Sequence, residues 1–448
     1  MSNSPQPEPD VDGHMSFGSM PFDLLSRIFC LTIGSLWFSS SRGPYVAASI
    51  HLAHVNRHWR LAALSSALIW NSFNINRNSN LELIVFCLHQ SQRAALHLDI
   101  DFSNPGRRVI REIMDKICDH LPRVETLVIR VGSALNSDVL GPIFSHACLG
   151  RLRILNLGCG PRQMRTHDPA IFELTCGMSH LRSLRIERIH FALELASTFR
   201  CLRVLVFRNI NPRYGPSMAD WRAISIAVPG LERVAILNVG CRDADAGGYP
   251  IAFRALTHLD LVFAGYSHGV STLVSRIYTP SLRYLSVTAG TTESLQCLTD
   301  NRSNLAAVKH LALTFEEVDV TDAGHLFDCT PLLRSLDLRH WDMQFLLTLN
   351  GMSVAGQTHP LCKDLTTLFI NSADPEDVRS FMLARMAILP QFELKSLLFR
   401  QKKHRPEFEE DMEWIRERVE VLGSGIGHSE WSWLSTDFYV GLNDYVVD

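Results

Sequence analysis

Between residues 95 and 399 the chain repeats one arrangement of apolar and polar positions. An apolar residue is followed by two variable ones, a leucine or its equivalent, one variable residue and another apolar one. Clear copies are Leu152-Arg153-Ile154-Leu155-Asn156-Leu157, Leu181-Arg182-Ser183-Leu184-Arg185-Ile186, Leu282-Arg283-Tyr284-Leu285-Ser286-Val287 and Leu333-Arg334-Ser335-Leu336-Asp337-Leu338. Others begin at Ala95, Val124, Leu202, Leu231, Leu256, Val308, Leu365 and Leu394, so the period wanders around the high twenties. The last two apolar positions alternate with exposed ones, which is the period of a strand with one buried face. The rest of each unit must return the chain to start the next parallel strand, and a crossover of that length usually holds a helix or helical turn. One unit cannot bury its apolar face alone, whereas stacked units cover one another. The pattern predicts a single parallel sheet about a dozen strands wide. Leu155, Leu184, Leu205, Leu259, Leu285, Leu336, Leu368 and Leu397 should point inward from it.

The flanks carry other patterns. Residues 1–18 are rich in proline and have no period, which predicts a tail without packed structure. Pro21 suits a first helical turn, Asp23 suits the positive end of a helix, and Leu24, Leu25, Ile28 and Phe29 recur at helical spacing. After a Ser/Gly interruption, Leu52, Val55, Trp59, Ala62 and Ala63 predict one helix face, and a short apolar run contains Trp70 and Phe73. Leu81, Ile84, Val85 and Leu88 form a helical stripe that would cap the first strand. Phe408, Met412, Ile415 and Val419 predict an amphipathic helix over 407–421 as the other cap. Four segments result: a tail (1–18), a helical domain (19–75), a repeat region (80–402) and a terminal cap and tail (403–448). The aromatic end, with Trp431, Trp433, Phe438, Tyr439 and Tyr445, is expected to pack back onto the cap, with a docking segment as the alternative.

Composition narrows the class. The 448 residues, 46% hydrophobic and 20% charged, describe an ordered chain long enough for several domains or one long solenoid. A net charge of -3 and a pI near 6.7 disfavour nucleic acid and anionic membranes as partners. The 11 cysteines are scattered, several on apolar stretches, which predicts reduced core thiols in the cytoplasm or nucleus. The apolar run from Cys30 to Phe38 is too short to span a bilayer.

The recurring ladder resembles the leucine-rich-repeat family. Several units depart from that family's capping Asn after the strand: Gly160, Ile189 and Trp341 stand there, and Asn209 and Asn238 fall one position early. Upstream, Met20-Pro21-x-x-Leu24-Leu25-x-x-Ile28-Phe29, then Val55-Asn56-Arg57-His58-Trp59-Arg60-x-Ala62 and Leu68-Ile69-Trp70, resemble the F-box motif. Members of that family bind a Skp-type adaptor through these helices. The resemblance implies that Pro21, Leu24, Leu25, Ile28, Phe29, Val55, Trp59 and Trp70 serve adaptor binding. It also implies a substrate receptor within a cullin-based, SCF-type ubiquitin ligase. The fold class expected is α/β, a three-helix F-box-like domain followed by an irregular leucine-rich-repeat solenoid with a parallel sheet.

Chemistry is sparse. His51, His54 and His58 fall at a spacing that lines one helix face, yet no general base or fourth ligand accompanies them, so a polar helix face is the better reading. Asp243-Ala244-Asp245-Ala246-Gly247 has Gly where the third oxygen ligand of a calcium loop belongs and no Glu at the closing position, so it reads as a solvated loop. Gly423-Ser424-Gly425-Ile426-Gly427 lacks the Lys of a phosphate loop and reads as a helix stop. No metal, cofactor or catalytic residue is therefore expected, and the chain should do no bond chemistry itself. Residues alternating with the buried leucines line the other sheet face. Among them Val204, Val206, Ala235 and Leu237 predict a small apolar patch flanked by Arg185 and Arg208, a composition suited to holding a target protein. The rival classes are a stand-alone repeat scaffold and an enzyme with a dispersed site.

Overall fold

The structure is a computed structural model. It describes residues 20–422, apart from 39–44, 77, 103–106, 133–148, 160–171, 174–177, 190, 193–198, 212, 214, 243–249, 264–266, 290–291, 316–319, 340–345, 347–348, 351, 355–356, 360, 372–373 and 401–407. The chain divides into two compact units, with the boundary in sequence between Ile129 and Arg130. The tail 1–18, the residues at 243–247 and 423–427, and the aromatic end lie outside the described residues.

The first unit opens with helices α1 (Phe22–Phe38), α2 (Tyr45–His54) and α3 (Arg57–Ser65), then a 3-10 turn at Ala67–Trp70. Leu25, Phe29 and Ile33 of α1 meet Ala53, Ala62, Ala63, Ile69 and Trp70 in a shared core. Phe29 lies 5.1 Å from the Trp59 ring, the Trp70 indole donates to the Ala63 carbonyl at 2.8 Å, and the Ser49 hydroxyl donates to the Ile69 carbonyl at 2.7 Å. The expected single helix face through Leu52, Val55 and Trp59 is broken. Asn56 is extended and its side chain caps α3, accepting from the Trp59 amide at 2.8 Å, because an Asn competes with the helix for backbone donors. His51 and His54 therefore sit on α2 and His58 on α3, and they share no helix face.

Strand β1 (Ser72–Ile75) pairs in parallel with β2 (Leu96–Phe102), so the end of the expected helical segment is already sheet. Helix α4 (Leu81–Gln90), capped by Asn80, buries Ile84, Cys87 and Leu88, while Val85 of the predicted stripe faces outward. Arg123 holds the end of that helix by donating to the Leu88 carbonyl at 2.8 Å and the Ser91 hydroxyl at 3.0 Å. Helix α5 (Arg107–Cys118) leads to β3 (Val124–Val131), which adjoins β2.

The second unit carries eleven strands of one sheet in chain order: β4 (Ile154–Cys159), β5 (Ser183–Glu187), β6 (Val204–Ile210), β7 (Arg233–Val239), β8 (His258–Phe263), β9 (Tyr284–Ala289), β10 (His310–Phe315), β11 (Ser335–Arg339), β12 (Thr367–Asn371), β13 (Ser396–Arg400) and β14 (Glu420–Leu422). Every neighbouring pair is parallel. One register row runs Leu155, Leu184, Leu205, Val234, Leu259, Leu285, Leu311, Leu336, Leu368, Leu397 and Val421, and its leucines are buried. The leading leucine of each unit closes a turn: the Leu152, Leu181, Leu202 and Leu231 amides donate to the carbonyls three residues earlier. The next carbonyl ties one repeat to the following one. That of Arg153 accepts from Arg182 and Ser183, that of Arg182 from Arg203 and Val204, and that of Arg203 from Glu232 and Arg233.

The returns are helical in several units: α6 (Met218–Ala227), α7 (Ser267–Arg276), α8 (Thr292–Thr299), α9 (Val320–Asp328), α10 (Pro375–Ile388) and α11 (Glu409–Arg416). The terminal helix predicted over 407–421 is only its first half. Glu420–Leu422 instead forms β14 on the edge of β13, because pairing satisfies backbone groups that a further helical turn would leave at the sheet edge.

Candidate functional site

Two surfaces stand out, one on each unit. On the first, α1 splits its leucines. Leu25 and Phe29 are 1% exposed and belong to the core, whereas Leu24 (49%), Ile28 (41%) and Leu31 (68%) form an outward row at helical spacing. Pro21 and Val55 are also exposed, Trp59 is half-buried and Trp70 is buried. Thus Leu25, Phe29 and Trp70 cannot present a contact surface in this fold; they hold the helices that carry the outward residues. Phe22 stacks on His58 at 4.5 Å, and the His58 Nε2 lies 2.7 Å from the Met20 carbonyl, fixing the start of α1 against α3. Leu61 adds a further exposed apolar side chain on α3.

On the second unit, register brings the expected target residues together. Arg185 pairs with Val206 and Val206 with Ala235; Arg208 pairs with Leu237. The apolar patch itself is corrected: Val206, Ala235 and Leu237 are buried, as is Arg208, while Val204 and Arg185 are half-buried. The reason is the sheet. Each side chain stands about 4.8 Å from those on both flanking strands, so a short apolar residue between long neighbours leaves almost no surface to bind.

What this face offers instead is charge and ring edges. Glu187 is approached by Arg185 at 3.4 Å, Arg188 at 3.5 Å and Arg208 at 3.8 Å. Burial lowers the Arg185 pKa, Glu187 opposes that shift, and the Arg208 and Arg130 charges add to it. Three strands along, His258, Tyr284 and His310 stack with ring centroids 4.1 and 4.3 Å apart and planes within 7°. His258 is pushed down to about 3 by burial and by the Arg233, His310 and Arg283 charges. The alternation in the sequence places Glu187 and His258 on this face, but it passes over Arg188 and over Tyr284 and His310 as partners in a stack. The signal was present, because His258, Tyr284 and His310 occupy the same place in successive repeats.

Among the described residues no cluster of His, Cys, Asp and Glu could hold a metal ion, and no helix is long and apolar enough to cross a membrane. Burial raises the thiol pKa to about 12 at Cys87 and Cys362 and about 11 at Cys297, which keeps these groups protonated and unreactive at neutral pH.

No family model matches the chain, and neither does any curated protein. Among solved structures it is similar to the leucine-rich repeat-containing protein LegL7 from Legionella pneumophila. The identity is 15% and the TM-score 0.37, over 77% of this chain and 97% of that one. So loose an overlap carries no functional argument. The repeat architecture rests on the register of the strands themselves.

Proposed function

We propose that the chain is a non-catalytic recognition subunit: its first helices dock a Skp-type adaptor of a cullin-based ubiquitin ligase, and its sheet face holds a target protein. The observation that carries this reading is the outward row Leu24, Ile28 and Leu31 on α1, with Val55, between α2 and α3, and Leu61, on α3, also exposed. A folded core already stands behind that row, so its exposure is not required by the core. Apolar surface of this kind marks a protein contact. The F-box resemblance names the kind of partner. The guanidinium cluster around Glu187 and the ring stack at His258 supply the polar and aromatic groups typical of a contact on the sheet face.

Co-expression of the full chain with a recombinant Skp-type adaptor should yield a complex on gel filtration. Leu24→Asp with Ile28→Asp should abolish it while leaving the circular dichroism spectrum unchanged, since both positions are exposed. Failure of the parent chain to form the complex would remove the adaptor from the reading and leave a stand-alone repeat scaffold, and a complex that survives the double change would remove this row as its docking surface. Leu25→Asp is unsuited to the same test, because a buried carboxylate there would unfold the helices.

A further inference from the structure

The residue after each leading leucine shares one rim of the second unit's sheet, just before the strands. On three successive repeats it is arginine. Arg153, Arg182 and Arg203 are joined in series, the Arg182 amide donating to the Arg153 carbonyl at 2.8 Å and the Arg203 amide to the Arg182 carbonyl at 2.8 Å. Their Cα atoms therefore span about 10 Å, two strand steps. The same turns contribute Arg151 and Arg200, and all five arginines are exposed. The turn segments Leu149–Arg153, Met178–Arg182 and Phe199–Arg203 contain no acidic residue. In the flanking repeats the corresponding residue is acidic, Glu125 before the run and, beside Arg203, Glu232 after it. Glu232 pairs with Arg203 at 3.1 Å while the same guanidinium donates to the Gly230 carbonyl at 2.9 Å. Gly230 leaves room for this, since a Cβ there would come within 2.6 Å of the Arg203 Nη1 atom. At the next position, Thr257, the basic run is interrupted, and it resumes only at Arg283, Lys309 and Arg334.

We propose that this rim patch is a docking site for a short acidic segment of a protein partner, one with several carboxylates in close succession. Five guanidiniums on a net acidic chain make a local field opposite in sign to the whole, and guanidinium forks match carboxylates in bidentate geometry. The length of the patch selects the partner. A few side-chain carboxylates cover about 10 Å, whereas a longer nucleic-acid strand along the rim would have to cross Glu232 and the uncharged Thr257 before it met basic positions again. The site shares no residue with the sheet-face cluster or the adaptor surface and does not depend on either assignment.

The test uses the purified full chain and fluorescein-labelled hexaglutamate, read by anisotropy. Binding at about 50 mM salt should weaken markedly at about 300 mM, where screening shortens the reach of exposed charges. Arg153→Gln with Arg182→Gln should weaken it at least about tenfold, the factor that one charge-assisted hydrogen bond represents. Arg200→Gln, at the turn tip, should weaken it in the same direction. Arg283→Gln with Arg334→Gln, on the same rim but remote from the patch, should stay within about twofold. Absence of binding at low salt would overturn the assignment, as would equal loss in the near and remote pairs. Tighter binding of an oligothymidylate of equal charge would overturn it in favour of nucleic acid.

Discussion

Asn209 and Asn238, which fall one place too early for the usual repeat cap, have a different task. Both adopt left-handed backbone, with φ of 51° and 55°. The ladder between β6 and β7 passes over them, pairing Arg208 with Leu237 and then Ile210 with Val239. The Asn238 side-chain amide donates to the Asn209 side-chain oxygen at 3.1 Å, linking the two bends. Asn tolerates this conformation where a β-branched residue does not. Asn238→Val should therefore cost about 1–3 kcal/mol in chemical denaturation, and Asn238→Gly much less. His258 makes a second prediction at this scale. Its folded pKa of about 3 lies below its ordinary value of 6.5, so the fold favours the neutral ring. The stability this provides is complete above about pH 6.5 and is lost progressively as pH falls towards 3. His97, lowered chiefly by burial, acts in the same direction. A melting temperature followed across that range should fall less steeply in His258→Phe than in the parent chain.

At the scale of elements, local chemistry explains where helices begin and tight packing explains where they sit. Helix α6 starts at a capping box: the Ser217 hydroxyl accepts from the Asp220 amide at 3.1 Å, and the Asp220 carboxylate accepts from the Ser217 amide at 2.7 Å. Just before it, the backbone of Gly215 passes so close to Gly240 that a Cβ would stand 1.8 Å from that carbonyl oxygen. Gly215→Ala should cost about 2 kcal/mol or more, measured by urea unfolding, because backbone must move to admit the methyl group. Helix α10 carries the fully buried Arg385, which donates to the carbonyls of Leu349, Leu361 and Cys362 and lies 5.3 Å from the Phe392 ring. Arg385→Leu would take the guanidinium from all three carbonyls, of which those of Leu349 and Cys362 keep a backbone amide donor, at a cost of about 3 kcal/mol or more. A sequence pattern marks an arginine as exposed by default, so neither this clamp nor the close approach at Gly215 was legible before the chain was folded.

Across the second unit, stability is distributed between neighbours. Each strand buries its leucines against those of the strands on either side, and few contacts reach further. Leu285→Ala, in the middle of the buried row, should cost about 2–5 kcal/mol. Native-state hydrogen exchange should place the lost protection mainly in β8, β9 and β10, with β4 changed least. Equal loss across all eleven strands would show that the unit unfolds as one block rather than as coupled repeats.

The repeated apolar spacing determined the strands, their parallel order and the buried row. A period of two on one face and a return of some twenty residues admit few other arrangements. Helical spacing likewise marked α1, including the exposed Leu24 and Ile28, but could not divide its outward row from its core row. That division depends on what packs behind the helix, and Leu25 and Phe29 turned inward because α3 and the 3-10 turn lie there. Register between strands, absent from any single strand's pattern, gathered Arg185, Arg188 and Arg208 around Glu187 and stacked His258, Tyr284 and His310. The same neighbours, about 4.8 Å away on either side, closed over Val206, Ala235 and Leu237. An alternating sequence shows which face a side chain takes; how much of it remains uncovered is decided only by the residues on the next strands.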